Sequence, residues 1–189
     1  MDVGKFIVNV NNADWQKYDD AEYFRYDHGG IGSFSQAVPP TLIALALADE
    51  ESDDLLNMKM LKKRGISRTD FISNAMIDCK VRFAIGNDHR GTYYPVIREA
   101  LPFIIEVALY GNHVVARTCA INALIDLYGF EAEGSFNPEG DADELSEFVK
   151  KTIKDMVVEH RENFSKFAVD DIRNRFLIED LFKHVDKQD

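Results

Sequence analysis

The sequence predicts an all-α fold built from successive antiparallel helix pairs. Apolar residues recur at three- and four-residue spacing from about residue 41 to residue 184. Strand signals are few, the run Lys5-Phe6-Ile7-Val8-Asn9-Val10 being the one short β-like stretch. A chain of 189 residues, 46% hydrophobic and 29% charged, suits one ordinary globular domain with a sizeable core.

Each element has its own warrant. Lys5–Val10 reads as an extended N-terminal arm. Thr41–Ala48 is a short apolar helix. Ser52 or Asp53 can cap a helix from Asp54 to Lys63, whose basic last turn suits the helix dipole. Ser67 or Thr69 starts a helix over about 70–85, with Phe71, Ile72, Ala75, Met76, Cys79, Phe83 and Ala84 on one face. Gly86 and Asn87 stop it. Residues 94–110 read as a long helix with Pro95 in its first turn, where a missing N–H is harmless, and Pro102 inside, where it costs a hydrogen bond. Gly111-Asn112 turns the chain into a helix over 113–128 that is apolar nearly all round and so must be buried. A loop marked by Gly129, Gly134, Pro138 and Gly140 leads to helices over about 143–162 and 166–184, the first capped by Asp141 or Asp143.

Lys plus Arg is 22 and Asp plus Glu is 33, a net charge of −11. Residues 1–64 carry 11 acids and 7 bases, residues 65–130 carry 6 and 6, and residues 131–189 carry 16 and 9. The neutral middle is the expected core, flanked by an N-terminal cap over 1–26 and acidic C-terminal helices over 131–189. An acidic chain is repelled by nucleic acid and by an anionic membrane, so neither is an expected partner. Cys79 and Cys119 form neither a disulfide framework nor a metal knuckle. No secretory leader or membrane span is predicted, and the expected location is the cytoplasm.

Two segments between 27 and 130 repeat. Asp27-His28-Gly29-Gly30 leads to Ala37-Val38-Pro39, and Asp88-His89-Arg90-Gly91 leads to Ala100-Leu101-Pro102. The histidines lie 61 residues apart and the prolines 63. Such self-similarity marks an α-solenoid. The second unit runs Ala100-Leu101-Pro102-Phe103-Ile104-Ile105-Glu106-Val107-Ala108-Leu109, then Gly111-Asn112, then Val115-Ala116-Arg117-Thr118-Cys119-Ala120. That pattern resembles the HEAT repeat, with its proline-bent first helix, polar turn and arginine-bearing second helix. The stretch from Asp88 to Tyr94 also resembles the His-x-Gly-Thr-x-Tyr loop of a group of bacterial HEAT-repeat proteins. The resemblance implies a short HEAT-like α-solenoid, armadillo-like, that binds protein without catalysis. It also implies toxin immunity as one specific version.

Three groups of residues are candidates for function. Trp15, Tyr18 and Tyr23 are interleaved with Asp19, Asp20 and Glu22. This cluster reads either as an amphipathic cap with its aromatics inward or as an acidic, aromatic face that grips a basic protein. The Asp-His pairs at 27–28 and 88–89 read as loop structure before helices, with Gly29 and Gly91 supplying unusual backbone angles. Their alternative is a metal-dependent hydrolase, although they lack the i, i+4 spacing of helical ligand pairs. Arg117 lies inside an apolar helix and needs a partner: Asp78, Glu106, Asp126 or helix-terminal carbonyls. Pro39 and Pro102 are structural. No Gly-x-Ser-x-Gly elbow, Cys-x-x-Cys or phosphate loop is present. A non-catalytic binder of a basic protein is therefore expected, with no cofactor or metal.

Overall fold

A computed structural model describes residues 1–19, 33–49, 77–133, 142–169 and 172–187. Eight α-helices, one short 3-10 turn at Gln16–Tyr18 and a small three-stranded sheet make up the regular structure of these residues. Helix α1 is Val3–Asn12, where the sequence had predicted an extended arm. The helix wins because Asp2 caps it, its carboxylate accepting the Lys5 N–H at 3.0 Å, and because Phe6 and Val10 bury one face at i, i+4 spacing. The alternation in Lys5–Val10 was too short to decide between periods.

Helix α2, Phe34–Ala46, begins seven residues before the predicted start at Thr41 and holds Pro39 and Pro40 in its interior. Phe34, Val38, Leu42, Leu45 and Ala46 are all buried, and that apolar stripe carries the helix through both prolines. Helix α3, Ile77–Ile85, occupies the described end of the predicted 70–85 helix. The predicted helix from Asp54 to Lys63 lies outside the described residues.

Helix α3 runs into strand β1, Gly86–Asn87, which pairs antiparallel with β2, Thr92–Tyr93. Strand β2 pairs in parallel with β3, Glu131–Ala132, in register Thr92 to Glu131 and Tyr93 to Ala132. This sheet departs from a strictly all-α reading. Strands of two residues carry no alternation for a sequence pattern to reveal. Two glycines make the hairpin possible. A Cβ on Gly86 would sit 2.2 Å from the Thr92 carbonyl oxygen, and Gly91 has φ of 66°.

Helix α4, Ile97–Tyr110, starts after Pro95 instead of containing it, and it keeps Pro102 inside. Ile97, Ala100, Leu101, Ile104, Val107 and Ala108 form its buried stripe. Helix α5, Val114–Gly129, is buried along most of Val115–Leu127, with Arg117, Thr118, Asn122 and Asp126 partly exposed, so its apolar composition is matched on most but not all of its faces. The C-terminal part divides into three helices where two were predicted: α6 (Ala142–Glu159), α7 (Arg161–Val169) and α8 (Ile172–Asp186). Arg161 closes α7 on α8. Its guanidinium donates to both carboxylate oxygens of Asp186, at 2.9 and 2.5 Å, and lies 4.2 Å from the Phe182 ring centre.

Helices α1, α2, α4 and α6 adjoin in that order. Helices α3, α5 and α8 adjoin likewise, with α2 against α3, α4 against α5, and α7 against α8. One core runs through both rows, from Phe6 to Val185. No helix among the described residues is long and apolar enough to cross a membrane.

Candidate interaction surface

Trp15 is part of the core, 3% exposed, and is corrected from its expected place on a binding face. Its indole N–H donates to the Val10 carbonyl at 2.7 Å, satisfying an acceptor that the end of α1 would leave without a partner. Its ring packs against Phe103 of α4 at 5.9 Å between centres, and Phe6 meets the same ring edge-on at 5.7 Å. The inward reading of the aromatic cluster therefore holds for Trp15. Tyr18 is half-buried, and burial raises its phenol pKa. Lys17 lies 5.0 Å from the Tyr18 ring centre and bonds Glu99 of α4 at 2.6 Å; that hydrogen bond raises its own pKa.

Asp19 is also taken up by the fold. Its carboxylate accepts the Ser35 N–H at 3.1 Å and the Ser35 hydroxyl at 2.5 Å. It thus caps α2 from 16 residues away, where Ser33, at the cap position, makes no side-chain cap of its own. Asp20, Glu22, Tyr23, His28 and Gly29 lie outside the described residues.

The second Asp-His pair is drawn apart. Asp88 bonds the Arg82 guanidinium, and Arg82 also reaches Asp126 of α5 at 2.7 Å. His89 is exposed and stands edge-on to Phe83 at 5.0 Å. Asp88 therefore ties the hairpin to α3 and α5. Thr92 extends this tie by donating to Glu133 at 3.1 Å. Among the described residues no group of three His, Cys, Asp or Glu side chains is placed to hold a metal ion. Arg82 is the residue that sequence reasoning missed; one arginine in the helix before the hairpin carried no distinguishing pattern.

Arg117 is half-buried and binds where its helix meets two others. Its Nε donates to the Ala108 carbonyl at 3.0 Å, its Nη2 donates to the Asn163 amide oxygen at 2.8 Å, and its guanidinium lies 4.0 Å from the Phe167 ring centre. A carbonyl in the last turn of α4 is one of the partner types the sequence left open. Asp126, another candidate partner, is bound by Arg82. Pro102 is exposed and Pro39 is buried.

One concavity at the N-terminal end brings surface residues together. A cleft of about 550 Å³ lies between residues 11–16 and α2, with Asn11, Asp14 and Gln16 on one wall and Ser35, Pro39 and Pro40 on the other. Asp14, Gln16 and Pro40 are exposed, and Trp15 forms part of the lining. The cleft itself was not legible, because it depends on α1 lying beside α2. No protein-family model, curated protein or solved structure matches this chain.

Proposed function

We propose that this chain is a non-catalytic protein-binding domain whose partner is a basic protein. We further propose that it is a short HEAT-like array, and that neutralising a basic bacterial toxin is the sharpest form of its activity. The observation that carries the reading is a net charge of −11 on two adjoining rows of helices. Such a field attracts a basic partner and can raise association rates about 10- to 1,000-fold at low salt. The Asp88–His89 pair supports binding over hydrolysis: Asp88 is engaged by Arg82 and His89 rests on Phe83. The immunity form rests on the HEAT-like motifs over residues 83–128.

In-cell cross-linking followed by mass spectrometry tests the reading. The expected partner is a protein with a net positive charge at neutral pH. An acidic partner would overturn the charge argument. Hydrolytic turnover lost on His89→Ala would replace the binding role with an enzymatic one.

A further inference from the structure

The strongest unassigned feature is the cleft between residues 11–16 and α2. Proline has no N–H, so Pro39 and Pro40 remove two consecutive helical hydrogen bonds from α2. The carbonyls that lose their i+4 donors belong to Ser35 and Gln36. Ser35 and both prolines line the cleft. The opposite wall is lined by Asp14, Asn11 and Gln16, which carry a carboxylate and two side-chain amides. Asp14 is exposed, and among the described residues no Lys or Arg lines the cleft beside it. Ala13 and Ile43 add apolar surface.

We infer that this cleft receives an arginine side chain of the partner protein, an inference that rests on the basic-partner reading above. The fit has three parts. A guanidinium carries five donors fixed in a plane, which suits acceptors spread over two walls. The described residues lining the cleft carry acceptors of that kind, a carboxylate at Asp14 and side-chain amide oxygens at Asn11 and Gln16, with Asp14 the one charged residue among them. The methylene stem of an arginine packs along apolar surface while its head stays polar, and Pro39, Pro40 and Ile43 supply such surface. A lysine offers a compact charge with three donors and matches a spread of acceptors less well.

Trp15 is the one tryptophan of the chain and lines the cleft, so its indole N–H resonance reports on it directly. The test is an NMR titration of the labelled full chain with acetylated, amidated tetra-arginine, and with the tetra-lysine and tetra-glutamate counterparts. The expected result is saturable shifts centred on the Trp15 indole, the Asn11 and Gln16 side-chain amides and the Ser35 amide. Tetra-arginine should bind more tightly than tetra-lysine, and tetra-glutamate should leave these signals unmoved. Asp14→Asn should weaken tetra-arginine binding about fivefold. Shifts centred elsewhere on the protein, or an unchanged affinity in Asp14→Asn, would overturn the cleft assignment while leaving the basic-partner reading intact. Equal affinity for tetra-lysine would overturn the choice of arginine. Binding of tetra-glutamate, or no binding of either cationic peptide anywhere, would overturn both readings.

Discussion

Helices α2 and α4 carry prolines at the same register, each the sixth residue of its helix, yet the two prolines meet opposite surroundings. Pro39 is buried and Pro102 is exposed. The N-terminal residues meet the two helices differently: α1 lies against α2, while Phe6 of α1 and Trp15, just beyond it, pack on Phe103, the residue after Pro102. Helix α2 also has a second proline and a cap reaching in from Asp19. Two similar proline-bearing segments thus sit in helices at the same register without sharing their surroundings. The surroundings are where the two helices acquire different roles: α2 forms a cleft wall, and α4 forms a seat for the N-terminal aromatics.

The largest effect should come from breaking that seat. Trp15→Ala removes a core side chain and leaves the Val10 carbonyl without its donor, so a loss of about 3–5 kcal/mol is expected in chemical denaturation. A loss below about 1 kcal/mol would mean that α1 is dispensable to the core.

Arg82→Leu should come next. It leaves Asp88 and Asp126 without their shared cation at the root of the hairpin, at an expected cost of about 2–4 kcal/mol, the burial of the group being partial. If His89 and Asp88 formed a catalytic pair independent of this network, a hydrolytic activity would survive the substitution in the folded fraction.

The prolines themselves sharpen the comparison. Pro102→Ala restores an N–H for the Arg98 carbonyl at an exposed position and should stabilise the protein by about 1 kcal/mol. Pro39→Ala restores an N–H too but removes buried ring atoms, so its net effect should be near zero or destabilising. Equal gains at both positions would show that burial of Pro39 contributes nothing.

The smallest effect concerns pH. Arg161 holds the Asp186 carboxyl below its ordinary value through their paired hydrogen bonds. A carboxyl depressed in the folded state stabilises the fold above the unfolded value of about 4, and that contribution disappears as pH falls through the folded value. Asp186→Asn should therefore lower the denaturation midpoint slightly at neutral pH and leave it unchanged in strong acid. A larger difference in acid than at neutral pH would reverse the sign of this linkage.

Long apolar stripes were legible in the sequence. Helices α4 and α5 follow their predicted ranges closely, because their buried residues keep helical spacing through Ile97–Ala108 and Val115–Leu127. Three features were not legible. The sheet rests on two-residue strands whose partner, Glu131–Ala132, lies far along the chain from Thr92–Tyr93. The helical state of Val3–Asn12 depends on a cap and two burials that composition alone does not rank. The start of α2 was placed at Thr41, after Pro39 and Pro40, which sit in its interior. The site residues divide the same way. An arginine in an apolar helix announced a need for partners at Arg117, while the role of Asp19 as a distant cap required knowing which helix start lay beside it.

The central claim is that this acidic helical array binds a basic protein. Stopped-flow association with the cross-linked partner, from about 0.01 M to about 1 M salt, tests it most directly, because the screening length then falls from about 30 Å to about 3 Å. The account predicts an association rate that falls at least tenfold across this range, with dissociation changing far less. An association rate that is independent of salt, or that rises with it, would contradict the account.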